Sequence, residues 1–267
     1  MWRPLGFAGI EALEADYVRQ DFSPHRHEGY LVGVIERGVH AVRCRGVRWY
    51  ASEGTVCTLD PGEVHHGGAA VRDGWRQRIL YVEPEIVRDV LEDALDRPVD
   101  DLHFEQCFRA DRRAAAALSR LHRALGSRDE ALEVQTVFHA VMGRVLTRYG
   151  RLVEAPSPPP SPPDVRLSRA REFVHEHACE RIELADIARA ADLRRRQLID
   201  GFVRAFGLPP HRYQRQVRID RARRLLASGM APSQVAHETG FTDQSHFIRH
   251  FRAVLGVTPA RYHGVES

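Results

Sequence analysis

The feature that most constrains this chain is a repeat. Leu198, Phe202, Gly207, Pro210 and Tyr213 recur 49 residues later as Phe247, Phe251, Gly256, Pro259 and Tyr262, and Ala188 and Leu193 recur 48 residues later as Ala236 and Phe241. The one-residue slip falls where a turn is expected, the cheapest place for an insertion. Two copies of a helical unit are too few for a solenoid, so a tandem pair of modules fits better. The second copy shows the unit most clearly. Pro232 and Ser233 open a short helix, since proline suits a first turn and serine can cap. Gly240 ends it by letting the chain turn through positive φ. Phe241 follows as an apolar plug, and Thr242 or Asp243 can cap the next helix. Phe247, Phe251 and Val254 then form a buried stripe at i, i+4, i+7. Gln244, Ser245, His246, Ile248, Arg249 and Arg252 are left facing outward. Helix, tight turn, helix with outward donors is the composition of a helix-turn-helix that reads DNA. A helical pair that only packs its own core would explain the phenylalanine spacing but not the repetition.

Ala236, Gly240, Phe241, Phe247, Arg249, Phe251, Gly256, Thr258, Pro259 and Tyr262 together resemble the signature of the AraC family of bacterial transcription regulators, A-x-x-x-G-F, then F-x-R-x-F, then G-x-T-P-x-x-Y. The resemblance implies an all-α domain with two helix-turn-helix modules that binds double-stranded promoter DNA, with RNA polymerase as a further partner if the protein activates. In the first module Arg195, Arg196, Ile199 and Asp200 are the recognition candidates. This copy departs from the family. Arg194 stands where a capping serine is common and Asp200 where arginine is often found, while Gly201 weakens the helix by about 1 kcal/mol relative to alanine. Asp200 can accept from a cytosine amino group or repel phosphate. The second module, with Gln244, Ser245, His246, Ile248 and Arg249, is the stronger candidate for base reading.

Charge follows the same division. From Asp164 onward 18 arginines face 12 acidic residues, a balance of +6, whereas the rest of the chain carries −3. A basic half that coincides with the tandem motif is the electrostatic footprint of a nucleic-acid-binding domain. The 267 residues suffice for two domains of ordinary size. No apolar run approaches the ~20 residues of a transmembrane helix, and the acidic N-terminal stretch is not a secretory signal. A cytoplasmic protein without membrane contact is expected. Cys44, Cys57, Cys107 and Cys179 form no C-x-x-C pair, so neither a zinc knuckle nor a redox motif is indicated. Reduced thiols are the default.

The first part of the chain reads as short strands broken by glycine. Tyr30–Glu36 is apolar and β-branched, Glu36–Gly38 makes a turn, and Val39–Arg45 alternates. Gly54–Leu59 and Arg76–Glu83 add further strands, with a turn at Asp60–Glu63. Such a series suggests a small barrel or jelly roll. Two histidine groups punctuate it, His25 and His27 before one strand, His65 and His66 after another. Over roughly 22–84 this is similar to the cupin-type ligand-binding domain at the N-terminus of many AraC family members. The likeness implies a small-molecule effector, with His25, His27, Arg43, His65 and Tyr81 as the candidate contacts. In metal cupins an H-x-H pair, a following glutamate and a later histidine hold the ion. Here Leu31 and Val32 occupy the glutamate position and Glu28 is at the wrong spacing. No metal and no cofactor are therefore expected. Tyr30, Trp49 and Trp75 are either pocket walls or ordinary core.

From Glu85 to Gly150 the pattern is helical, with a helix from Pro84 to about Leu95, a second capped by Asp111, and a third over Asp129–Tyr149. These helices either cover the barrel or form a homodimer contact. The proline-rich run at 155–164 favours an extended, semi-rigid spacer. The expected fold is α+β: a cupin-like β-barrel with covering helices over 1–154, a linker over 155–164, and an all-α tandem helix-turn-helix domain over 165–267. The expected function is that of a transcription regulator, not an enzyme, responsive to an effector. The alternative is a metal-dependent cupin enzyme fused to a DNA-binding domain.

Overall fold

The computed structural model describes residues 1–4, 7–126, 131–153 and 164–263. Contacts divide the chain into two compact units, 1–21 with 26–156 and 22–25 with 157–267. The expected linker lies outside the described residues except for Asp164. No helix among the described residues is long and apolar enough to cross a membrane.

The N-terminal sheet is built on β1 (Ile10–Tyr17), β2 (Asp21–His25), β3 (Tyr30–Cys44), β4 (Val47–Ser52), β5 (Thr55–Leu59), β6 (His65–Ala69) and β7 (Trp75–Val82). The chain continues with α1 (Pro84–Leu95), β8 (Asp101–Phe104), β9 (Phe108–Ala110), α2 (Arg112–Leu125), α3 (Ala131–Tyr149) and β10 (Gly150–Val153). β3 is the hub. Its first half pairs with β7 and β5, and its second half with β4 and β6. The expected turn at Glu36–Gly38 is instead an irregularity inside one 15-residue strand, with a register shift between Ile35 and Arg37. A bulge absorbs an extra residue and bends the strand, so glycine and polar residues here re-aim the ladder instead of ending it. The path β1-β7-β3-β5-β9 does not close on itself among the described residues, so the expected cupin-like roll is present as an open sheet.

β1 has too many acids to read as a strand from sequence, and tertiary pairing explains them. Glu14 accepts from Arg76 and Arg78 on the neighbouring β7, and Arg78 also donates to Glu36 at 2.8 Å. The helices do cover the sheet. α1, α2 and α3 lay Val87, Leu91, Leu118, Leu121, Phe138 and Met142 against Val32, Val34, Leu80 and Val82. Each such side chain contributes about 1.5–3 kcal/mol on burial. Asp111 caps α2 as expected, accepting from the backbone N–H groups of Arg113 and Ala114 at 3.1 and 3.0 Å.

The C-terminal unit holds α4 (Val165–Glu176), α5 (Leu184–Ala190), α6 (Arg195–Phe206), α7 (Pro210–Ala227), α8 (Pro232–Glu238), α9 (Gln244–Leu255) and α10 (Pro259–His263). The repeat is structural. α5 and α8 both have 7 residues, α6 and α9 both have 12, and Gly207 and Gly256 end the longer helices at φ 71° and 73°. The extra residue of the second copy is in the turn before α9. Ser233 does not cap α8; Ala231 is the N-cap and makes no side-chain bond. Gly201 is more than a weak point in α6. A Cβ there would lie 3.0 Å from Leu167, so glycine lets α4 close onto α6.

Candidate functional site

In the second module α9 is held by both ends and one face. Asp243 accepts from the His246 N–H at 2.7 Å, the cap expected at Thr242 or Asp243, and it also places a negative charge at the positive end of the helix dipole. Phe247 and Phe251 are fully buried, so the opposite face points to solvent. Gln244, Ser245, Arg249 and Arg252 are exposed on it; Ile248 is half-buried. His246 departs from the expectation of an outward side chain. Its ring lies edge-on to His250 at 4.5 Å and 5.6 Å from Phe241, and burial, then Arg249 and Arg215, lowers its pKa. The ring is half-buried against the module, while the flanking Gln244, Ser245 and Arg249 stay exposed.

α7, which lies between the two modules in sequence, contributes further residues. Burial, then the charges of Arg212 and Arg249, lowers the pKa of Arg215. His250 is pushed down to about 4 by burial, then by Arg215, His246 and Arg249. A cationic cluster thus spans α7 and α9, the charge pattern that suits a polyanion. Arg218 is the clamp beneath it. Its guanidinium donates to the carbonyls of Ala178 (2.6 Å), Glu180 (2.8 Å) and Gly240 (2.6 Å). It fixes the turn of the second module to the segment after α4.

In the first module Arg195, Arg196, Ile199 and Asp200 are all exposed on α6. Arg196 stands 3.7 Å from Asp200, an i, i+4 pair with both partners in solvent. Arg194 is the N-cap and offers no side-chain cap; the Gln197 side chain accepts from its N–H at 3.2 Å. The two recognition helices differ in the way the sequence indicated: one is capped by a carboxylate, the other follows an arginine N-cap with two more arginines and carries an acid on its face.

In the N-terminal unit His27, His65 and Tyr81 come together. The His27 ring is 5.2 Å from that of His65 and 4.7 Å from that of Tyr81. One ring nitrogen from each of His25, His27 and His65 lies within 4.8 Å of the other two, and all three residues are buried. Three imidazoles at this spacing have the donor chemistry of a zinc or non-haem iron site, and equally that of a hydrogen-bonding wall. Burial lowers the pKa of His65, so the ring is neutral and offers one donor and one acceptor. Its Nδ1 lies 3.0 Å from the Glu63 carbonyl, which makes Nδ1 the N–H and leaves Nε2 as acceptor.

Arg43 is not part of this group. Cys44 pairs with His65 and Arg43 with His66 in the β3–β6 ladder, and cross-strand partners share a face. Arg43 therefore stands exposed on the outer face. His40, which the sequence did not single out, is on the inner one. It stacks on Trp75 at 4.2 Å and 6°, with its pKa pushed down to about 3 by burial and by His65. The alternation His40, Val42, Cys44 was the available signal. Trp75 is core, donating to Gln77 at 2.9 Å, and Tyr30 is tied by its hydroxyl to the Leu102 carbonyl at 2.7 Å.

Residues 7–142 match the family of the AraC-like ligand binding domain, and residues 187–264 match a helix-turn-helix domain family. The HTH-type transcriptional regulator YbfI of Bacillus subtilis (strain 168) is 27% identical over 240 residues, covering 89% of this chain and 85% of its own length. The HTH-type transcriptional activator RhaS of Enterobacter sp. (strain 638) is 25% identical over 96% of this chain and 92% of its own. Among solved structures, apo ToxT from Vibrio cholerae strain SCE256 aligns with a TM-score of 0.63 at 13% identity, over 98% of this chain and 99% of that one. That likeness is one of fold.

Proposed function

The chain belongs to the AraC family of transcription regulators, and on that premise we propose that His25, His27, His65 and Tyr81 contact its effector while Gln244, Ser245 and Arg249 read its operator. It is a DNA-binding transcription regulator with a small-molecule-binding domain, and the relatives it matches along their length are themselves named as transcriptional regulators. The observation that carries the effector site is the pair of buried rings of His27 and His65 beside the half-buried Tyr81, polar rings gathered on the inner face of a sheet where apolar side chains would pack at lower cost. Effector binding regulates only if it favours one arrangement of the protein over another. The test is His65→Ala. The effector response is lost while basal DNA binding persists; a collapsed melting transition instead would mark His65 as a structural residue.

The three-histidine spacing favours one second reading, the metal-dependent enzyme. Metal analysis of the purified protein separates the two, because a dioxygenase requires near-stoichiometric iron.

A further inference from the structure

Cys44 and Cys107 are 63 residues apart in sequence, yet their sulfurs are 2.8 Å apart, both free and both buried. We propose that this pair is a modification site that a hydroperoxide closes to an intramolecular disulfide. The separation selects this chemistry over metal binding. A disulfide needs ~2.05 Å, so less than 1 Å of approach is required. An ion held tetrahedrally by two ~2.3 Å bonds would force the sulfurs apart to about 3.8 Å.

The backbone on both sides is already fixed. Cys44 ends β3. Cys107 precedes β9, and its carbonyl accepts from the Thr58 N–H at 2.9 Å. The Thr58 hydroxyl donates to the Gln106 carbonyl at 2.9 Å. Arg45, next to Cys44, donates to the Phe104 carbonyl at 2.6 Å and to the carboxylates of Asp60 and Glu63 at 2.7 and 2.8 Å. The thiols are thus aligned with little left to order.

The two sulfurs are not equivalent. The Cys107 pKa is lowered, first by the hydrogen bond from Cys44 and then by the charge of Arg45, while that of Cys44 is raised. Cys107 also lies directly after the exposed Glu105 and Gln106, so a local opening of this short turn admits a small oxidant. The Cys107 thiolate attacks one peroxide oxygen, and the O–O electron pair leaves with the other, which takes a proton to become an alcohol or water. The Cys44 sulfur then attacks the resulting sulfenic acid. The S–O bond breaks, its oxygen leaves as water with the Cys44 proton, and the disulfide remains. Two thiols and one hydroperoxide give one disulfide, one alcohol and one water. Because Cys44 pairs with His65 in the β3–β6 ladder, the new bond is anchored one cross-strand pair from the histidine grouping. Disulfides in reducing compartments are typically redox-sensing.

The experiment uses full-length protein carrying Cys179→Ser, which removes the one cysteine that is not buried. It is reduced, treated with hydrogen peroxide, and analysed by alkylation under denaturing conditions and peptide mass spectrometry. The expected result is loss of two thiols, a linked peptide joining Cys44 to Cys107, and a melting temperature of the N-terminal unit raised by on the order of 10 °C, reversed by reductant. Cys57→Ser keeps the link; Cys107→Ser abolishes it, with its tryptophan-monitored melt in reductant showing that it still folds. Persistence of all thiols, a link through Cys57, or oxidation only to sulfinic acid would overturn the proposal.

Discussion

Gly240→Ala tests the turn on which the second DNA-reading module depends. Gly240 has φ +72°, and a Cβ there would stand 2.0 Å from the carbonyl oxygen of Cys179. The left-handed conformation costs an alanine about 1–2 kcal/mol. The clash is with backbone, which no rotamer change relieves, so the chain must shift at a further ~1–3 kcal/mol. The same carbonyl-rich junction is where Arg218 donates to Gly240 and Ala178, so a shift also disturbs the clamp. The expected loss is about 2–5 kcal/mol, a large share of the ~5–15 kcal/mol typical of a domain. Gly229→Ala is the control, with φ +87° but nothing within 4 Å of the added Cβ, so only the first term applies. Asp192, the counterpart of Gly240 in the first module, already holds φ +51°, so Asp192→Gly should be neutral or slightly stabilising. The assay is urea unfolding of the full chain followed by circular dichroism, with DNA affinity measured in parallel. Tryptophan fluorescence is an internal control, because Trp2, Trp49 and Trp75 all belong to the N-terminal unit. Equal losses for Gly240→Ala and Gly229→Ala would refute the close-approach argument, and a fluorescence transition that moves with the helical one would refute independent unfolding.

Other expectations follow from the same geometry. Arg249→Ala, titrated against operator and scrambled DNA at two salt concentrations, should cost ~1–3 kcal/mol on the operator alone if Arg249 reads a base; a uniform loss with the salt slope reduced by about one ion would assign it to phosphate. His40 and His122 have native pKa values near 3 and 4 against a reference of 6.5. The unfolded chain therefore binds more protons between those values, so their stabilisation is present above about pH 6.5 and lost as pH falls, at about 1.4 kcal/mol per pH unit for each group. Fluorescence-monitored melts from pH 7 to 5 should show this slope, and His122→Gln should flatten it; an unchanged slope would mean the ring titrates normally. Limited proteolysis should cut first within 155–164 and release a DNA-binding fragment starting near Val165; cleavage spread evenly along the chain would count against that boundary.

What the sequence determined by itself was the helical half and its purpose. Caps, left-handed glycines and the i, i+4 apolar stripe are local features with a fixed period, and a second copy 48–49 residues away repeats the stripe and the glycine that ends the longer helix. Asp243, Gly240 and the buried pair Phe247 and Phe251 are where that reading put them. The histidine groups could be picked out for a similar reason, since they flank recognisable strands, and His25, His27 and His65 do come together. Tertiary structure alone decided which residues share its face. Register along β3 sends Arg43 outward and His40 inward, and one slipped pair would have exchanged them. Packing on α4 turned Gly201 from a helix defect into a contact surface. The juxtaposition of Cys44 with Cys107 has no sequence signal, because it depends on how two strand ends 63 residues apart are brought together by a sheet whose connections only the folded chain specifies.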